Sequence, residues 1–251
     1  MASLASAPGP INQLVVCYPG RFQPCGAHHA TTFRLLKAKF SAVGAHTYMV
    51  SSNKVELPKS PLTFEEKKLI INAHGIQEIV QVRNPYMANE VLKDYDPATT
   101  AVIYAVGEKD MIGKDARFKP GLTKKGKPTY YQYYEGNQGN LASYKQHGYL
   151  VVAPHVEINI PGIGEMSGTA LRQLLSTADE ETFASVMGFY DPNIYAMCRE
   201  KFSAAGARKI KRKRKKSKKK SKKISKRYKI SEKSSGKRFK RNNKTKKLNN
   251  Q

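Results

Sequence analysis

Five short apolar runs separated by helical patterns constrain the fold of this chain more than any other feature. The runs are 13–18 (QLVVCY), 46–52 (HTYMVSS), 79–82 (IVQV), 101–106 (AVIYAV) and 149–155 (YLVVAPH). Short apolar runs closed by Gly and Pro read as buried strands. Over 28–40, Ala30, Phe33, Leu36 and Phe40 recur at helical spacing. A second helix opens with a capping box, Thr63 and Glu66, carries Leu69, Ile70 and Ala73 as its apolar stripe, and stops at Gly75. A weaker helix is expected around 88–93. After the fifth run come three more helices. One starts near Ser167, one is introduced by a Thr177/Glu180 capping box, and one starts at Asp191-Pro192. Residues 110–148 are rich in Lys, Gly and Tyr without periodicity and read as a long excursion. Strands alternating with helices imply βαβ units, hence a Rossmann-like, doubly wound parallel α/β sheet with C-terminal helices.

Charge divides the chain. The formal net charge is +26, with 45 Lys+Arg against 19 Asp+Glu. Residues 206–251 hold 24 Lys/Arg and one acid, Glu232, for +23, which leaves the first 205 residues at +3. Lys-rich, Ser-interspersed sequence buries too little surface to offset the entropy of ordering, so 206–251 is expected to be a disordered tail. The small, Pro/Gly-rich residues 1–10 read as a disordered leader, and 11–205 as one near-neutral globular domain. A +23 tail attracts polyanions, so nucleic acid and an anionic membrane surface are candidate partners beside a merely solubilising role, and nuclear or nucleolar import is open beside a cytoplasmic location.

No stretch offers the ~20 apolar residues that span a bilayer. The opening MASLASAPGPINQ lacks the basic and apolar regions of a signal peptide, so an intracellular setting is expected. Cys17, Cys25 and Cys198 are odd in number and far apart, which disfavours a disulfide framework or a structural zinc site.

In open α/β sheets, ligands sit at the carboxyl ends of the strands near the switch point in strand order. That rule selects 19–29, 51–61, 107–110 and the approach to Ser167. The first run leads through YPGRFQPCGAHHA straight into a helix, where Gly20 allows close backbone approach and free N–H groups suit a phosphate. His28 and His29 lie at that helix start. GEMSGTALRQ puts Ser167, Gly168 and Thr169 at another helix start, with Arg172 one turn on and facing the same way. Two such starts, with hydroxyls and an Arg, suit a polyphosphate gripped from both sides. Weaker candidates are Ser51, Lys59 and Lys67 for a substrate phosphate, with Lys54 beside them. Glu108, Lys109 and Asp110 are open between a nucleotide or metal role and a turn. His46, His74, His147 and His155 read as structural, Cys25 as a small filler, and tyrosines 130, 131, 133 and 134 as rings packed on the domain rather than stacking on bases.

Over 13–202 these motifs resemble the nucleotidylyltransferase superfamily, whose members share a GRFQP…HxGH first loop and a late ISGTxxR motif. The chain is similar to the nicotinamide mononucleotide adenylyltransferase branch and to adenylyltransferase-like proteins of large phages. SPLTFEEK at 60–67 resembles the family's NPFT…ER segment, and GEKD at 107–110 falls where the family has a nucleotide loop. The resemblance implies an enzyme that transfers a nucleotidyl group from a nucleoside triphosphate, ATP favoured over CTP, to a small phosphorylated or hydroxylated acceptor. Pyrophosphate leaves and Mg²⁺ assists. It implies nucleotide binding by Gly20, Arg21, Phe22, Gln23, Gly26, Gly107, Asp110, Ser167, Gly168 and Thr169. Catalysis falls to His29, Arg172 and His28, with no protein-held metal. The chain departs from the pattern at one point: Gly26-Ala27-His28-His29 stands where the family has H-x-G-H. The alternative is a nucleic-acid-binding protein with weakened catalysis, acting through its tail. A class I tRNA synthetase relative is disfavoured, because the chain has no room for editing or anticodon domains.

Overall fold

Alternate residues of the central strands sort onto two apolar faces, as a pleated strand buried on both sides requires. In β1 (Gln13–Pro19), Leu14 and Val16 pack with Leu36 and Phe40 of α1 (Ala27–Ser41), whereas Val15 and Cys17 join the opposite cluster. The computed structural model describes residues 10–113, 116–157 and 167–204. After α1 follow β2 (His46–Ser51), α2 (Phe64–Ala73), β3 (Ile79–Gln81) and α3 (Asn89–Leu92). Next come β4 (Thr100–Val106), α4 (Glu108–Met111), β5 (Tyr131–Tyr133) and β6 (Gly148–Val152). The chain then forms α5 (Gly168–Leu175), α6 (Glu180–Met187) and α7 (192–204). All strands run parallel in the order β3-β2-β1-β4-β6-β5. With helices on both faces, this is a doubly wound, Rossmann-like α/β sheet.

The order reverses between β1 and β4, which pair directly, Val15 beside Val102 and Cys17 beside Tyr104. Their carboxyl ends therefore open the crevice of the fold. One face of the sheet is covered by α1, α2 and α5–α7, whose Leu171, Phe183, Met187, Ile194 and Phe202 join Phe22, Cys25 and Phe33 in one cluster. The C-terminal helices thus brace the loop that follows β1. The other face is covered by α3, α4 and aromatic residues of the excursion: Tyr131 packs edge-on to Tyr104 and Phe118, and donates to the Tyr86 carbonyl.

All five apolar runs are strands, and four local readings change. The excursion contributes a sixth strand, β5, whose three residues are too short to show a periodicity. In α2 the apolar stripe is rotated: Leu69 is 56% exposed, while Lys67 is buried beside Ile70 and Ile71. Lys67 tolerates burial because its ammonium donates to Ser51 Oγ at 2.8 Å and to the Ser52 carbonyl. The cap of α6 is Asp179, whose carboxylate accepts from the Thr182 N–H at 2.8 Å. Thr177 instead closes the end of α5, its N–H donating to Leu174 O. The weak helix shrinks to the four residues of α3, entered through Ala88 at a φ of 46°. The Thr63/Glu66 capping box forms as expected, with Thr63 N–H donating to Glu66 Oε2 and Glu66 N–H to Thr63 Oγ1. Asp191 caps α7, accepting from the N–H groups of Asn193 and Ile194. Contacts divide the chain into residues 1–203 and 204–251. The second unit beyond Ala204 lies outside the described residues, and so does the leader except for Pro10.

Candidate functional site

The loop after β1 is built around one ring. Phe22 sits at a φ of 44° and is 2% exposed, its ring edge-on to Tyr18 and to His29. A Cβ at Gly20 would stand 2.5 Å from that ring. Glycine is required here because Phe22 folds back over the backbone, a packing demand that sequence alone assigned to ligand approach. Gln23 is also consumed by the fold. Its side chain pairs both ways with the backbone of Leu62, Nε2 to O at 2.9 Å and N to Oε1 at 2.8 Å, and ties the first loop to the entry of α2. Gly20 and Arg21 face the crevice, and Arg21 is exposed.

At the start of α1, Gly26 is the N-cap and its N–H donates to His29 Nδ1 at 3.3 Å. This is one half of a capping box, glycine having no side chain to return the other bond. An accepting Nδ1 leaves Nε2 as the protonated nitrogen of the neutral ring. His28 lies against His29 with ring centroids 3.8 Å apart and planes tilted by 43°, and its Nδ1 is buried without a hydrogen-bond partner among the described residues. A Cβ at Gly26 would stand 3.0 Å from that same Nδ1. Glycine at position 26 therefore clears the space that the His28 ring fills. Burial, together with the neighbouring histidines, lowers His28 to a pKa of about 4 and holds His29 well below the usual imidazole range, so both are neutral at pH 7. His74 completes the cluster: its Nε2 lies 3.0 Å from the Cys25 carbonyl, and burial lowers its pKa too.

The late motif reaches this loop. Arg172 Nη1 donates to the carbonyl of Gln23 at 2.9 Å, and Nη2 to Thr169 Oγ1 at 3.2 Å. These bonds occupy two of the five guanidinium N–H donors. Ser167 caps α5, its hydroxyl accepting from the Ala170 N–H, and Ser167, Gly168 and Thr169 are exposed. Residues 158–166 lie outside the described residues, so the segment leading into this motif is not placed. Partial burial and the nearby Arg21 both lower the Arg172 pKa.

Beside these groups lies a cleft of about 350 Å³ lined by segments that follow β1, β2, β3 and α4. Ser51, fully buried, accepts from Lys67 and cannot meet a substrate. Burial pushes the Lys67 ammonium down to about 8. Lys59 is exposed and does not line the cleft. Gly107 caps α4 on the exposed surface, and Asp110 is occupied within the fold, its carboxylate 3.6 Å from Arg117 Nε and its carbonyl accepting from Phe118 N–H. The structure thus gathers Gly20, Arg21, Gln23, Gly26, His28, His29, Thr169 and Arg172 at the crevice, and Lys67 at its cleft. Ser51 and Phe22 support them from beneath, and Lys59 stands apart.

Arg117 and Tyr86 are cleft residues that sequence reasoning missed; both lie in segments without periodicity or motif. The structural reading of His74 agrees with its contact to Cys25 O, while its place beside His28 carries no sequence signal. Among the described residues no group of three or more His, Cys, Asp or Glu could hold a metal. Nor is any of their helices long and apolar enough to cross a membrane.

No family model and no curated protein matches the chain. Among solved structures it is similar to a macrolide-efflux protein from Streptococcus pneumoniae, at 16% identity and a TM-score of 0.36, covering 72% of this chain. The chain spans 56% of that protein's length, and so slight a likeness carries no inference about activity.

Proposed function

We propose that this chain is a nucleotidylyltransferase, adenylyl rather than cytidylyl, that joins a nucleoside monophosphate to a small acceptor and releases pyrophosphate. The observation that carries the reading is the bond from Arg172 to the Gln23 carbonyl, which links two motifs 149 residues apart into one cationic site at the switch point. The resemblance to the nicotinamide mononucleotide adenylyltransferase branch favours ATP over CTP.

In this reading the triphosphate lies across the starts of α1 and α5. The remaining Arg172 N–H groups, the helix N-termini and the neutral imidazole of His29 donate to its oxygens. An acceptor oxygen attacks the α-phosphorus; the new P–O bond forms as the bond to the β-phosphate breaks, and pyrophosphate departs with the electron pair. Positioning and charge stabilisation supply the rate. No protein nucleophile is needed; Ser51 is buried, and burial raises the Cys25 thiol far above neutrality. The described residues supply no cage for Mg²⁺, so the metal would travel on the substrate's own phosphates.

The test is pyrophosphate release from each nucleoside triphosphate with a panel of acceptors: nicotinamide mononucleotide, pantetheine phosphate, choline phosphate and ribose phosphates. One ATP-dependent acceptor is expected, with His29→Ala lowering turnover by on the order of 10²-fold while circular dichroism is unchanged. Silence across the panel, or an unaffected His29→Ala variant, overturns the reading.

A second function is supported by charge alone. With +23 in 206–251, we infer that this segment binds phosphate polymers, nucleic acid foremost, and directs the chain to the nucleus or nucleolus.

A further inference from the structure

The excursion between α4 and β6 carries charge that the rest of the body does not. Residues 116–134 hold Arg117, Lys119, Lys124, Lys125 and Lys127 and no acid, although the first 205 residues total only +3. Part of this stretch is a built hairpin. Leu122 and Pro128 pair antiparallel, the Thr129 N–H donates to Gly121 O at 2.8 Å, and the Thr123 N–H donates to Lys127 O at 2.7 Å. The Gly126 N–H closes a turn on Thr123 O at 2.9 Å, with Lys124 and Lys125 at its two central positions. Gly126 follows at a φ of 73°, the left-handed residue that completes a three-residue hairpin loop and that glycine adopts without strain. Every residue from Gly121 to Pro128 is exposed, Leu122 by 70%, so the hairpin stands off the domain instead of packing on it. Its base is held by β5, where Gln132 Nε2 donates to the Thr129 carbonyl at 2.6 Å.

Lys124, Lys125 and Lys127 crowd into four residues, and none has a carboxylate partner among the described residues. Salt screens each of these exposed charges, so a small anion gains little from any one of them. A polymer of phosphates meets all three at once and releases its counterions as it does so. The adjoining strand selects the polymer. Tyr130 is engaged by the Tyr144 carbonyl, Tyr131 by Phe118 and Tyr134 by Phe40. Tyr133 departs from the packed role expected of all four: it is 45% exposed, and its ring meets no other ring among the described residues. An open aromatic face next to a cationic hairpin suits a base and its neighbouring phosphates. A lipid headgroup or an acidic peptide has no base to lay on it.

We propose that the 121–129 hairpin and Tyr133 form a binding surface for single-stranded nucleic acid, with Lys124, Lys125 and Lys127 on its phosphates and a base stacked on Tyr133. This surface is independent of nucleotidyl transfer and carries its own charge, apart from that of 206–251. Tyr133 lies eight residues from Lys125, at most ~29 Å of chain, a span suited to the ~4–16 nucleotides that one small single-strand module covers.

The experiment is site-resolved NMR on the full chain, titrated with octauridylate and octathymidylate. Inorganic polyphosphate and polyglutamate serve as base-free controls, and phosphatidylserine vesicles as the lipid control. The signals of 206–251 record charge binding by that segment in the same sample. The expected result is saturable shifts at Lys124, Lys125, Lys127 and the Tyr133 ring with an octanucleotide, the tighter of the two marking RNA or DNA as the ligand. The base-free polymers leave the ring unmoved. Tyr133→Ala and the paired reversal Lys124→Glu with Lys125→Glu each weaken the hairpin response on the order of tenfold, and Tyr133→Phe retains it. The response of 206–251 is the same in all of these variants. Shifts confined to 206–251, an equal Tyr133 response to a base-free polymer, or a stronger hairpin response to vesicles than to either octanucleotide overturns the proposal. So does a hairpin response indifferent to both Tyr133→Ala and the charge reversal.

Discussion

Arg172 and Gln23 are joined by a 2.9 Å bond from Nη1 to the main-chain carbonyl, so the guanidinium both shapes the first loop and stays in the site. Lysine reaches one acceptor where arginine bridges two, Gln23 O and Thr169 Oγ1. Arg172→Lys is therefore expected to weaken ATP binding on the order of tenfold, as measured by calorimetry, with a retained fold. ATP affinity equal to the parent's would show that Arg172 serves the loop alone.

Gly20 tests the packing of that loop. A methyl group there meets the Phe22 ring at 2.5 Å. Gly20→Ala should cost about 1–3 kcal/mol in urea unfolding, the usual range for overpacking. Adding Phe22→Leu should recover part of the loss, because the smaller side chain vacates the space. A destabilisation that the second substitution does not relieve would point to the backbone rather than the ring.

The histidine pair sets a pH dependence. Both rings have folded-state pKa values below the unfolded value near 6.5, so the unfolded chain binds more protons and stability falls as pH drops. The contribution is complete above about pH 6.5 and is lost toward about pH 4 for His28. Melting temperature should drop by more than ~3 °C between pH 7.5 and 5, and less in His28→Asn. Identical pH profiles for the two proteins would remove His28 as the cause.

The segment 206–251 predicts strong salt dependence. Affinity of the full chain for a single-stranded oligonucleotide should fall steeply and linearly on a log–log plot as salt rises, with little sequence preference. A flat salt response would mean that the +23 charge is not what binds.

Much of the architecture was legible because its signals are local. The five runs, the Thr63/Glu66 box and the Asp191 cap each depend on residues within one turn or strand. The placement of His29 and Arg172 at helix starts was legible for the same reason, each standing in a local motif. What stayed hidden depends on distant partners. Lys67 displaces an apolar residue from the buried face of α2 only because Ser51 and Ser52 wait beneath it. Gly20 looks like a ligand glycine until Phe22 is seen to occupy its space. Arg117 enters the cleft through its contacts with Tyr86 and Asp110, neither of which announces the other in sequence.

Attack at the α-phosphorus defines nucleotidyl transfer, and the fate of labelled phosphates decides it. The full chain is incubated with a phosphorylated acceptor and ATP labelled in parallel at the α- or the γ-phosphate. α-Label is expected in the acceptor product and γ-label in pyrophosphate. γ-Label in the acceptor, or in inorganic phosphate with no labelled product, would contradict it.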